Sequence, residues 1–284
     1  MGKLIVHWSP LHGQGKTTAS MGAIAIAMSL MAFEERVCIT HTQDDMSDLE
    51  GMFDNRLSQE QRKVLYQVAG WNALIKNIKR EKLTPTAIED CTIETTIKNL
   101  ALLVGIENEE SSTNTDEIDD LVYKIMIEHI KTYYDWTFVD LAAGKNQLSK
   151  KFMEVADFIV VTLSQNCGIW DLFFEQYSDI AKKKNVFYLF GGYREESMYH
   201  RKNFAMIHQK QGVKQNRIGV VPDNVGYMDA IANGTVSDFF VENGKAKKKE
   251  ENADFIQECQ ATARKIRKAV LAEGEEKERI VSHV

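Results

Sequence analysis

Residues 10–18 read Pro10-Leu11-His12-Gly13-Gln14-Gly15-Lys16-Thr17-Thr18 and follow directly on a short apolar run, Leu4-Ile5-Val6. A buried strand, a tight glycine loop and a helix opening at Lys16 bring several backbone N–H groups to one point, at the positive end of a helix dipole. That arrangement suits a polyphosphate. The Lys16 ammonium would reach the outer phosphates, and the Thr17 hydroxyl would complete the shell of a bound Mg²⁺. The full motif has a further glycine where this chain has Pro10, so the match is partial. A plain glycine turn with an exposed lysine is the alternative. What favours the phosphate loop is its setting, since the small-residue segment Ala19–Met28 that follows is fit to be buried against a sheet.

Working outward, strand-like apolar runs recur at Leu4–His7, Val37–His41, Trp136–Leu141, Phe158–Thr162, Val186–Phe190 and Ile218–Val221, with helical patterns between them. Such alternation predicts an α/β fold, a mostly parallel sheet with helices on both faces. Ligands in such folds sit beyond the carboxyl ends of the strands, where the glycine loop lies. The long stretch between the second and third runs predicts helices at Ser58–Val68, Trp71–Glu81, Ile93–Leu103 and Ile118–Tyr133, with a break at Thr84-Pro85 and an acidic loop at Glu107–Glu117. The expected organisation is a phosphate-loop domain over residues 1–243 with a helical insertion at about 52–133. A charged linker and C-terminal helical tail over 244–284 follow. In that tail Phe255, Cys259, Ala263, Ile266 and Val270 form one narrow stripe, open to packing on its own domain, to a partner helix, or to a membrane surface.

A second element bears on the same ligand. Thr137-Phe138-Val139-Asp140-Leu141-Ala142-Ala143-Gly144 is an apolar strand ending in an acid and then small residues. Beside a phosphate-loop strand, the Asp140 carboxylate can hold Mg²⁺ or a metal-bound water; a simple turn cap is the other reading.

With these residues in place, the chain resembles the MinD/ParA group of P-loop ATPases, the deviant Walker A family, from Met1 to about Phe240. The resemblance rests on Gly13–Thr18, Val139–Gly144, Ala156–Thr162 and Gly219-Val220-Val221-Pro222-Asp223-Asn224. Trp8–Gly15 and Thr40-His41-Thr42-Gln43 look most like a Gram-positive branch associated with Tad-type pilus and secretion gene clusters. The resemblance implies ATP and Mg²⁺ as cofactors and a nucleotide-dependent homodimer that positions cargo on a membrane or nucleoid. Gly13, Gln14, Gly15, Lys16, Thr17 and Thr18 would bind phosphates, and Thr17 and Asp140 would serve the metal. Backbone around Pro222 and Asp223 would border adenine, with Arg194 standing where the family has an adenine-facing asparagine. The family's signature lysine falls at Leu11, and its two acidic switch positions fall at His41 and Gln43. Gln43 could still orient a water, or Asp44 and Asp45 could take over after a small shift. The expectation is therefore ATP binding with slow or lost hydrolysis, because no cation at position 11 neutralises charge across a dimer.

Composition narrows the partners. The chain has 284 residues, 44% hydrophobic and 27% charged, with no apolar run long enough to span a bilayer and no leader pattern at its start. A cytoplasmic protein, or one held peripherally at the inner face of the membrane, is expected. Cys38, Cys91, Cys167 and Cys259 are scattered, which argues against disulfides, zinc and iron–sulfur clusters. Net charge is −6, yet residues 182–217 carry nine basic side chains against Glu195 and Glu196, a local +7 that leaves −13 elsewhere. Arg201, Lys202, Lys210 and Lys214 in that segment are candidates for contacting DNA or anionic lipid, against the plainer reading of solvated helix faces. Three functions compete: a switch that positions a pilus, secretion or other envelope assembly through a protein partner, a partition-type ATPase that binds DNA, and a pseudo-ATPase scaffold.

Overall fold

The computed structural model describes residues 2–43, 48–54, 59–106, 115–246 and 250–281. Among the described residues eight strands form one sheet, in the order β3-β4-β2-β5-β1-β6-β7-β8. They are β1 (Lys3–Trp8), β2 (Val37–His41), β3 (Ile93–Glu94), β4 (Leu100–Leu102), β5 (Trp136–Asp140), β6 (Phe158–Leu163), β7 (Val186–Tyr193) and β8 (Ile218–Pro222). Every pairing is parallel except β3 with β4.

The helices, in chain order, are α1 (Thr17–Met31), α2 (Asp48–Phe53), α3 (Gln59–Val68), α4 (Gly70–Lys79), α5 (Pro85–Asp90), α6 (Thr115–Ile125) and α7 (Lys131–Tyr133), the last two joined by a π-turn at Met126–Ile130. Then come α8 (Gln147–Val155), α9 (Cys167–Gln176), α10 (Ser178–Ala181), α11 (Arg201–Ile207), α12 (Val225–Asn233), α13 (Val236–Asn243) and α14 (Ala253–Val281).

The pleat sorts the core in two. Leu4, Val6 and Trp8 face one way, into a cluster with Trp71 of α4, Val122 and Ile125 of α6, Phe152 of α8 and Phe173 of α9. Ile5 faces the other way, as do Phe138, Phe158 and Phe187, against α1, α2, α12, α13 and α14. Residues one apart therefore serve opposite layers, which is why these strands read as unbroken apolar runs. The α/β sheet with helices on both faces is as the sequence predicts.

One segment departs from expectation. Residues 93–103, read as a helix, instead supply β3 and β4. Five of the six residues Thr92–Ile97 are β-branched, which favours extended backbone. The Thr95 hydroxyl donates to the carbonyls of Ile97 and Leu100 and closes the corner between the two strands. The predicted acidic loop at 107–117 falls largely on residues 107–114, outside the described residues.

Helix α14 packs on its own chain. Phe255, Ile256, Cys259, Ala263, Ile266 and Val270 are all at most 2% exposed and join the α1 side of the core. Beside β8 the Thr262 hydroxyl accepts the Val220 N–H at 3.0 Å and donates to the Val220 carbonyl at 2.9 Å. Lys265 Nζ donates to the Ile218 carbonyl at 3.0 Å. Residue 219 is glycine for this approach, since a Cβ there would lie 2.4 Å from Thr262 Cγ2. Among the described residues no helix is long and apolar enough to cross a membrane.

Candidate nucleotide site

The glycine loop leaves β1 at the carboxyl end of the sheet, flanked by β5 and β6. Its first half is tied down. Ser9 Oγ donates to the Leu11 carbonyl at 2.8 Å, the Gly144 N–H donates to the Ser9 carbonyl at 3.0 Å, and Trp8 Nε1 donates to the Gly144 carbonyl at 3.2 Å. The Tyr177 hydroxyl donates to the Pro10 carbonyl at 3.3 Å. Leu11, His12, Gly13 and Gln14 are exposed, whereas Gly15 is buried. A Cβ on Gly15 would lie 3.0 Å from the Thr162 carbonyl.

Helix α1 opens at Thr17, one residue later than the sequence suggests, with Lys16 as its N-cap. Lys16 sits in the left-handed region at φ 48, ψ 47, a conformation that costs a residue with a Cβ about 1 kcal/mol or more. Its stem lies against Gly192, whose φ is +60, and its ammonium bonds Asp223 Oδ1 at 3.1 Å. Asp223 Oδ2 in turn accepts two bonds from Arg194, at 2.7 and 3.1 Å. The Arg194 guanidinium, aided by Lys16, holds the Asp223 carboxyl below the ordinary carboxylate range. Lys16, Arg194 and Asp223, which the sequence suggests for one site from positions far apart, thus meet. Pro222 adjoins them at the end of β8.

Asp140 ends β5 and is fully buried. Its Oδ2 accepts the Thr18 hydroxyl at 2.5 Å and the Gln43 side-chain amide at 2.9 Å. Thr18, rather than Thr17, makes this bond. Among the described residues Asp140 Oδ1 has no hydrogen-bond partner, and burial pushes the carboxyl up to about 6. Ser20 Oγ, Thr42 Oγ1 and Thr162 Oγ1 are likewise buried with no hydrogen-bond partner among the described residues. A buried anion with an open oxygen, near a loop rich in N–H donors, is what a divalent cation and its water shell would satisfy. The residues present fit Mg²⁺ with a triphosphate.

The raised Asp140 pKa yields a stability prediction. An ordinary 3.8 becomes about 6 in the fold, so keeping this carboxylate ionised costs the ligand-free protein about 3 kcal/mol at pH 7.5. The sign follows from the folded value being the higher one: the cost is present above pH 6 and is relieved as pH falls toward 4. Asp140→Asn should stabilise the ligand-free protein at pH 7.5 and flatten its stability between pH 7 and pH 5, while abolishing the effect of Mg²⁺ on nucleotide affinity. Urea unfolding of both proteins at the two pH values checks this, and identical pH profiles would refute it.

Gln43 also leads away from the phosphate loop. Its backbone N–H donates to His41 Nδ1 at 3.3 Å, and His41 Nε2 meets Glu50 Oε1 of α2 at 2.9 Å. That same oxygen accepts the Gly105 N–H at 3.0 Å. Burial is the largest influence on the pair and opposes both charges. The mutual hydrogen bond and attraction outweigh it, raising His41 and lowering Glu50. His7 on β1 has no such partner, and burial pulls it down to about 3, so it stays neutral. Asp44 and Asp45, the other candidates for positioning a water, lie outside the described residues.

Gly191-Gly192 belongs to this site and the sequence reading missed it. A Cβ on Gly191 would lie 2.1 Å from the Gly15 carbonyl and 2.4 Å from Ser20 Oγ, so the loop can seat only over a glycine. Two consecutive glycines at the carboxyl end of an apolar strand were the available signal. Of the basic candidates, Arg201 is paired with Glu258 at 2.9 and 3.1 Å. Lys202 and Lys214 line one surface hollow, and Lys210 and Lys214 line another.

This strand order, with a glycine loop after β1 and a buried acid closing β5, defines a class of mostly parallel α/β folds, and the chain has the fold of the MinD/ParA ATPases. A ParA family ATPase from Chlorobium tepidum superposes with a TM-score of 0.65 at 11% identity, covering 92% of this chain and 99% of that one. The septum site-determining protein MinD from Pyrococcus horikoshii, complexed with Mg-ADP, gives 0.64 at 14% identity, with 96% and 99% covered. A chain of the MinC:MinD cell division protein complex of Aquifex aeolicus gives 0.63 at 15% identity, with 93% and 95% covered. No protein-family model matches the sequence, and no curated protein matches it.

Proposed function

We propose that the chain is an ATP-dependent switch of the MinD/ParA kind. In this reading Mg-ATP sits on Gly13–Thr18, with Thr17 and Asp140 serving the metal and the backbone at Pro222 and Asp223 bordering the base. The bound state favours a homodimer that positions a pilus, secretion or other envelope assembly. One observation carries the reading: a fully buried carboxylate with an open oxygen, bonded to the first turn of the helix that follows the glycine loop. Binding chemistry is intact while hydrolysis chemistry is thinned, since Leu11 is uncharged and half-exposed and Gln43 already spends its amide on Asp140. Turnover below about one per second is expected. Titration with a fluorescent ATP analogue with and without Mg²⁺, phosphate release, and light scattering on the eluting protein together test it. Absence of Mg²⁺-dependent binding, or brisk phosphate release, would defeat the reading.

Without nucleotide the Lys16 ammonium is held by Asp223, so a triphosphate must displace that carboxylate. Both groups are partly exposed, which limits the pair to about 1 kcal/mol. Asp223→Asn should therefore tighten ATP binding up to about fivefold; weaker binding would show instead that Asp223 helps to hold the nucleotide.

DNA binding is a second reading, favoured by one hollow of about 640 Å³ lined by Lys182, Lys183, Lys184, Lys210, Lys214 and Arg217. Gel retention that falls steeply with salt would support it. Arg217 is engaged with Glu273 at 2.5 Å, so Lys210 and Lys214 are the residues to neutralise.

A further inference from the structure

A cavity of about 270 Å³ lies on the α1 side of the sheet, among α2, α3, the β3–β4 corner and the start of α13. It is walled by Phe53, Leu65, Tyr66, Ile93 and Leu102, and the rest of its described lining mixes carboxylates with neutral threonine, serine and glycine. Glu50 lies in its wall and Glu94 and Asp238 stand exposed around it, while none of the described lining residues is Lys, Arg or His.

Two buried polar atoms among the lining residues are unsatisfied. Glu50 is 7% exposed and Ser237 is 5% exposed, yet among the described residues Glu50 Oε2 and Ser237 Oγ have no hydrogen-bond partner. The other Glu50 oxygen is already used by His41 and the Gly105 N–H. A buried carboxylate oxygen left open costs free energy that a charged donor recovers far better than a neutral one. An anion would meet four carboxylates, those of Glu50, Asp54, Glu94 and Asp238. The apolar walls add a place for a hydrocarbon stem, and the Phe53 and Tyr66 rings suit a nearby cation.

We propose that this cavity binds a compact organic cation, a primary ammonium or guanidinium group on a short apolar stem, with its head on Glu50 and Ser237. A free amine and the lysine or arginine side chain of a docking peptide both supply such a head, since the recognised chemistry is the same. The site is separate from the nucleotide pocket, because neither Lys16 nor Asp140 lines it. Its failure would leave the ATP reading standing, and the reverse holds too.

Calorimetric titration of the full chain without nucleotide tests the proposal, with 2-phenylethylamine and agmatine as free amines. Pentapeptides Gly-Gly-Lys-Gly-Gly and Gly-Gly-Arg-Gly-Gly, blocked at both ends, represent the side-chain source, and 2-phenylethanol is the neutral control. Expected is binding of at least one cationic probe and none of the alcohol. Binding should weaken about tenfold in Glu50→Gln and about threefold in the double variant Glu94→Gln/Asp238→Asn. Preference for the free amines or for the peptides assigns the source, and either preference supports the site. The surface double variant keeps the test decisive if Glu50→Gln fails to fold. No binding of any cation at about 10 mM, equal binding of the alcohol, or binding unchanged in the folded variants would overturn it.

Discussion

Lys16→Ala is expected to weaken Mg-ATP binding about a hundredfold, the scale of losing a charged donor from a phosphate site. Its stability should scarcely change, since the lost partner Asp223 retains both bonds from Arg194. A paired variant separates charge from backbone. Lys16 holds left-handed φ and ψ, which glycine adopts without cost and alanine does not. Lys16→Gly should therefore bind ATP as poorly as Lys16→Ala yet be more stable by about 1 kcal/mol. Thermal melts of the two, alongside nucleotide titrations, check both halves. Retained affinity in either variant would remove Lys16 from the binding chemistry, and a less stable glycine variant would contradict the backbone argument.

Ending the chain after Asn252 should abolish cooperative folding. The lost helix carries Phe255, Ile256, Ile266 and Val270, each buried to within 2%. At about 1.5–3 kcal/mol per large apolar side chain, these four alone contribute about 6–12 kcal/mol, comparable with the whole stability of a typical domain. The truncation also uncovers the Val220 N–H and carbonyl that Thr262 now satisfies. A broad melt and dye binding to exposed apolar surface are the expected results. A truncated monomer melting like the full chain would show that α14 is an appendage. Thr262→Val is the milder companion: it keeps the shape, leaves both Val220 groups unpaired, and should cost about 2 kcal/mol or more.

What the sequence made legible follows from the range of the forces involved. Val37–His41 and the starts of β5, β6, β7 and β8 are readable because a strand buried on both faces is a continuous apolar run between turns. Residues 93–103 misled because two short strands and a corner place apolar residues at spacings a helix also produces. Lys16, Thr18 and Asp140 could be named from motif and position. The resemblance put Lys16 and Asp223 at one site, but their bond, across 207 positions, could not be read, since chain separation carries no information about contact. His41 was legible only as a departure from an acidic position, and its bond to Glu50 depends on how α2 folds back. The helical stripe of α14 could be seen but not its destination, because periodicity marks a buried face without naming what covers it.

Both margins of the sheet are closed to further strands. On one side α14 lays a hydroxyl and an ammonium across β8, and on the other the outermost strand is two residues long and runs counter to its neighbour. Neither offers the long row of unpaired amides that lets chains polymerise by β-augmentation. Copies of this protein that associate would therefore do so without extending the sheet, leaving the backbone ladder of each copy self-contained.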